Sequence, residues 1–204
     1  MSITGHVKHG LIETLFQWPQ ALEKLHFAAR TSTYTSVHID EFEELLCFQE
    51  HSLRHLEISA IDRMEPGGRI LNAGLLPNLE YLQLRTSHVT WEKPLTVAEA
   101  LFGGSLRTLV IECEIETTDW PFSYPIPIDW ITLFLQEVDL LPPHPLGRRT
   151  INLKYGDDIE AIERLENPNA AKKALLENLR TMQSWTQKAN VDFQPRYNGA
   201  EDKW

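Results

Sequence analysis

The sequence predicts an α/β solenoid of about five right-handed units, in which short parallel strands alternate with helices and C-terminal helices cap the last unit. Three observations predict it. An apolar rhythm of three residues and then two recurs at Leu22-Leu25-Phe27, Leu53-Leu56-Ile58, Leu79-Leu82-Leu84 and Leu106-Leu109-Ile111. The middle positions, with Ile151 of a weaker copy that ends in Leu153, lie at 25, 56, 82, 109 and 151, at intervals of 31, 26, 27 and 42 residues. Self-similarity at such periods marks units that stack because none can bury its apolar face alone. The stretches between the copies carry helical periodicity. In each copy the last two apolar residues alternate along a strand and point inward, while the first fills the core from the incoming turn.

Taken in order, "LIETLFQWPQ" reads as the helix of an earlier unit running into the strand at 24–28. No amphipathic cap precedes Leu15, Phe16 and Trp18, so this end is expected to be open, to expose apolar surface and to promote self-association or partner stacking. "HIDEFEELLCFQ" places Ile39, Phe42, Leu45 and Leu46 on one helical face, with acids in the first turn. A strand follows at 55–59. "GGRILNAGLLPN" is a poorer helix, ended by Gly74 and Pro77, before the strand at 81–85. "PLTVAEALFGG" sets Thr96 and Glu99 at capping-box spacing with Gly103 as the stop, and a strand is expected at 108–112.

The longest interval contains "TTDWPFSYPIPIDW", whose prolines imply an extended, stiff loop. Its aromatics Trp120, Phe122 and Tyr124 either fold back over the repeats or form a partner-binding hook. "PIDWITLFLQEV" aligns Ile128, Ile131, Leu135 and Val138, with Trp130 and Phe134 beside them. The fifth strand, 150–154, has Arg148 where the other copies have leucine. Capping helices are expected over 156–190. The first is N-capped by Asp158 and carries Ile159, Ile162 and Leu165. The second starts at Asn167-Pro168 and carries Ala171, Leu175, Leu179, Met182 and Trp185. Residues 191–204 read as a polar tail. The repeats thus occupy 1–155.

L-x-x-L-x-L resembles the leucine-rich repeat, and the periods of 26 and 27 resemble its ribonuclease-inhibitor-like and F-box-associated classes. "LPNLEYLQL" and "GGSLRTLVIE" are similar to the C-terminal repeat regions of fungal F-box proteins, over roughly residues 11–155. The resemblance implies a non-catalytic protein–protein interaction scaffold that would be the substrate-recognition part of an F-box type ubiquitin-ligase adaptor. There are two departures. Slots where the family often has Asn or Cys hold Arg30, Ile61, Ser87 and Glu114, and nothing near the N-terminus reads as an F-box.

The net charge of −10 disfavours nucleic acid and anionic membrane surfaces as partners. No apolar run reaches membrane-span length, and "MSITGHVKHG" lacks a signal-peptide core, so an intracellular protein, cytoplasmic or nuclear, is expected. Cys47 and Cys113 read as buried free thiols. His6 and His9 lie in a Gly-flanked end without a cysteine partner, and Gly67-Gly68 and Gly103-Gly104 lack the rest of a phosphate loop. No catalytic residue, cofactor or metal site is expected, and the chain does not read as an enzyme.

What remains is the outward face of the strands, where three rows are expected to line up. The first is Lys24, His55, Tyr81, Thr108 and Thr150, and the second His26, Glu57, Gln83, Val110 and Asn152. The third is Ala28, Ser59, Arg85, Glu112 and Lys154. These neutral to weakly charged rows suit a protein or peptide ligand. The expected contact residues are His55, Glu57, Tyr81, Gln83, Arg85, Thr108 and Glu112, with a peptide stacking on Tyr81 and accepting from Arg85. Gln83, facing solvent, should matter little to stability. Two alternatives stay open: a structural remnant without a partner, and an enzyme with an unrecognised site.

Overall fold

The computed structural model describes residues 1–4, 9–17, 21–28, 39–59, 70–85, 88–89, 93–113, 128–155, 177, 180–187 and 189–197. Its elements are β1 (Ser2–Thr4), α1 (His9–Gln17), β2 (Lys24–Ala28), α2 (Ile39–Cys47), β3 (His55–Ile58), a 3-10 turn (Ala73–Leu75), β4 (Tyr81–Arg85), α3 (Pro94–Phe102), β5 (Thr108–Cys113), α4 (Ile128–Leu140), β6 (Arg149–Tyr155) and β7 (Val191–Tyr197). The strands form one seven-stranded sheet in chain order, and each pairs in parallel with the next.

All five expected strands are present, β2 to β6. Their register sets Leu25 against Leu56, Leu82, Leu109 and Ile151 in succession. Phe27, Ile58, Leu84, Ile111 and Leu153 make the second inward row, and every member of both rows is buried. The leading leucines Leu22, Leu53, Leu79 and Leu106 are buried as well. The reason for the three-residue step lies in the backbone just before each strand, where one carbonyl serves two amides of the next unit. Glu23 O accepts from Arg54 and His55, Arg54 O from Glu80 and Tyr81, and Glu80 O from Arg107 and Thr108, all at 2.9–3.0 Å. This repeated junction turns the leading leucine into the core as the strand begins.

The helices cover the inward face. Phe42, Leu45 and Leu46 of α2, Val97, Ala98, Leu101 and Phe102 of α3, and Ile131, Phe134, Leu135 and Val138 of α4 are buried. The Trp130 ring stacks on Phe134 at 5.1 Å. Over the described part of the expected helix, residues 70–78, the chain forms a 3-10 turn capped by the Asn72 side chain accepting from Gly74 N. The buried Glu43 carboxylate accepts from Asn72 N at 2.6 Å and so ties that turn to α2. α3 does not use a Thr96–Glu99 capping box. It begins with Pro94 in its first turn, after Lys93, and Thr96 lies inside the helix. Gly103 does close it, accepting no left-handed conformation but donating to Glu99 O.

Both ends of the sheet differ from expectation. β1 pairs on the outside of β2 and buries Ile3. Phe16 is fully buried with its ring edge-on to Phe42 at 5.9 Å, and Leu15 packs against the core, so these two residues do not form an open apolar end; Trp18 lies outside the described residues. Residues 191–197, read as polar tail, are β7, with Val191 and Phe193 buried. The sequence alternates apolar and polar from Val191 to Tyr197, with Pro195 in register with Leu153. Among the described residues no strand lies beyond β7 to need the amide that Pro195 lacks. Residues 180–186 are helical, but Met182 and Thr186 are the buried pair, four residues apart, while Trp185 is 40% exposed. The other capping-helix positions, from Asp158 to Leu179, lie outside the described residues, as do Arg30, Ile61, Ser87 and Glu114.

The departure at Arg148 has a structural purpose. Its Nη2 donates to the carbonyls of Thr186, Ala189 and Val191 at 2.7, 2.6 and 2.9 Å, fastening the end of the last helix and β7 to the start of β6. Cys47 is exposed rather than buried; partial desolvation, then the carboxylates of Glu50, Glu43 and Glu44, push its thiol pKa up. Cys113 ends β5, and its side chain is not among those described.

Arg149 is 5% exposed, with its guanidinium 5.6 Å from the Phe102 ring centre and no hydrogen-bond partner at Nε. Desolvation lowers its pKa. A cation held this way costs stability that a flexible apolar side chain would not. Arg149→Met is therefore expected to raise the unfolding free energy by about 1–3 kcal/mol. Urea denaturation checks it; a loss would mean that the guanidinium has favourable contacts that outweigh its desolvation.

Candidate partner-binding face

The outward face of the sheet follows from the same register. Lys24, His55, Tyr81, Thr108 and Thr150 stand side by side, and β7 adds Asp192. The second row runs His26, Glu57, Gln83, Val110, Asn152 and Gln194, with Ser2 beside His26. In the third, Arg85, Glu112, Lys154 and Arg196 are neighbours.

The central side chains form one connected group. The His55 and Tyr81 rings stack at 4.0 Å with 1° between their planes, and His55 Nε2 lies 2.7 Å from Glu57 Oε1. Tyr81 Oη donates to Gln83 Oε1 at 3.0 Å, and Gln83 Nε2 donates to Glu112 Oε1 at 2.8 Å. Lys154 Nζ donates to the same Glu112 oxygen at 2.9 Å. The run from Glu57 to Lys154 thus crosses four strands. Each side chain is oriented by its neighbour before any ligand arrives.

This geometry changes three expectations. Gln83 is 8% exposed and bonded on both sides, so it is not a bystander in solvent. Val110 and Asn152 in the same row are buried too, so the middle of the second row is closed, while His26, Glu57 and Gln194 at its ends are half-buried like most of the first and third rows. One face of Tyr81 is already covered by His55, so a ligand cannot stack there. The Glu112 carboxylate, opposite Arg85 in the register, is shared by Gln83 and Lys154. Arg85 and Thr108 are half-buried at their expected places, and the Arg85 amide donates to His88 Nδ1 at 3.4 Å. Trp120, Phe122 and Tyr124 lie outside the described residues.

Lys154 was legible as a row member but not as a site residue, because its role depends on Glu112 standing one strand away. Among the described residues, no three His, Cys, Asp or Glu side chains are grouped to hold a metal ion, and no helix is long and apolar enough to cross a membrane. No protein-family model matches the chain, and neither a curated protein nor a solved structure matches it significantly.

Proposed function

We propose that the protein is a leucine-rich-repeat solenoid that binds a protein or peptide ligand on the outward face of its sheet and performs no chemistry. The observation that carries this reading is the connected polar run from Glu57 through Tyr81, Gln83 and Glu112 to Lys154. Side chains ordered in advance lose little freedom when a ligand binds, so contacts to them contribute more fully to affinity. Polar groups spread over four adjacent strands suit an extended ligand better than a small molecule. The similarity of "LPNLEYLQL" and "GGSLRTLVIE" to fungal F-box proteins extends the proposal to substrate recognition in a ubiquitin-ligase adaptor.

The test is capture of the principal cellular partner by the full chain and by a Tyr81→Ala, Arg85→Ala double variant. The expected result is loss of that partner at an unchanged circular-dichroism spectrum. Retention by the folded double variant, with release on changing Trp120, Phe122 and Tyr124, would move the site to the aromatic loop.

A further inference from the structure

The turns that lead into β4, β5 and β6 form an open pocket of about 310 Å³, lined by residues that include Asn78, Glu80, Ser105, His144, Pro145 and Leu146. It adjoins the outward face, because Glu80 immediately precedes Tyr81. The position of Glu80 is set by backbone. Its amide donates to Arg54 O, and its carbonyl takes the amides of Arg107 and Thr108.

The nitrogen donors of the lining side chains are at least partly engaged elsewhere. Asn78 Nδ2 donates to His51 O at 2.7 Å. The Leu146 amide donates to His144 Nδ1 at 3.2 Å, so His144 Nε2–H is the donor to Ser105 O, also at 3.2 Å. The Asn78 amide keeps one N–H and Ser105 its hydroxyl, but the one charged group in the described lining is an acceptor, the Glu80 carboxylate, with Asn78 Oδ1 as a second acceptor. Glu80 Oε1 takes Arg54 Nη1 at 2.8 Å, but side-chain exposures of 60% and 48% make this a weak, exchangeable pair. No lysine or arginine is among the described lining residues, and Pro145 with the exposed Leu146 offers an apolar wall.

A carboxylate and an amide oxygen beside an apolar wall match an alkyl stem that ends in a cation. We infer that the pocket receives a lysine or arginine side chain of a peptide ligand. The inference names the partner's chemistry and rests on the proposed face for the rest of the peptide. The chain's net charge of −10 favours the approach of such a ligand over long range.

The pocket is tested by titrating the full-length, nitrogen-15-labelled chain with a capped glycine-lysine-glycine tripeptide and its norleucine counterpart. The lysine probe is expected to shift the Ser105 and Leu146 amide resonances saturably, and the norleucine probe is not. Glu80→Gln should weaken binding about fivefold, and Arg54→Ala should strengthen it about two- to fivefold by freeing the carboxylate. Glu44→Gln, which removes the same charge from α2, should leave it unchanged. Equal binding of norleucine, an unaltered affinity in Glu80→Gln, or no saturable shift at Ser105 and Leu146 overturns the inference. Tripeptide binding reports the pocket alone, and partner capture by the Tyr81→Ala, Arg85→Ala variant reports the face alone, so either reading fails without the other.

Discussion

Gln49→Ala is expected to lower the unfolding free energy by about 2–4 kcal/mol, more than its single polar side chain would suggest. Gln49 is 4% exposed and joins three chain segments. Its Oε1 accepts from Leu22 N at 2.9 Å and from Ser52 Oγ at 3.0 Å, and its Nε2 donates to Phe16 O at 2.7 Å. Removing the amide strands the Phe16 carbonyl and leaves Leu22 N with only the Ser52 hydroxyl, at 3.1 Å. The backbone between α1 and β2 would then lose its anchor to the turn after α2. Gln49→Glu should be nearly as damaging, because a carboxylate cannot donate to Phe16 O. Denaturant melts of both variants check this; a loss below about 1 kcal/mol in either would show that water replaces the amide easily.

Leu82→Ala is expected to cost about 2–5 kcal/mol. Leu82 is fully buried between Leu56 and Leu109 in the register, at the centre of the inward row, where neighbouring strands prevent collapse around the cavity. Gln83→Ala, on the other face, should cost about 1–2 kcal/mol, since it removes one hydrogen bond from Tyr81 Oη and one from the Glu112 carboxylate. Equal losses in the two melts would contradict the assignment of Leu82 to the core. A negligible loss for Gln83 would contradict the connected polar run.

The inward half of the molecule was legible because burial repeats. Every apolar step from Leu22 to Leu153 recurs with its unit, so the five middle strands and their facing could be read from spacing alone. The ends resist such reading because they occur once. Among the described side chains of β1, Ile3 is the buried one, and Val191 and Phe193 belong to a short alternation that no other unit repeats. The outer face was legible as rows but not as bonds. That Tyr81 bonds Gln83 rather than standing free depends on rotamers, and that Glu112 holds Lys154 depends on which neighbouring cation reaches it first. The pocket beside Glu80 is assembled from turns 24 and 39 or more residues apart, as the contact of His144 with Ser105 across 39 residues illustrates, and no periodicity reports such meetings.

Among the described residues, each strand bonds only to the strands before and after it in the chain, from β1 to β7. A sheet of this kind can grow like a closing zipper: one formed strand is a template for the next, and no distant segment has to be found first. Such locality lowers the entropic barrier that usually slows parallel sheets. It also makes the two outermost strands the first to peel. Under tension applied at its ends, the sheet would come apart strand by strand, with the Leu56–Leu82–Leu109 centre yielding last.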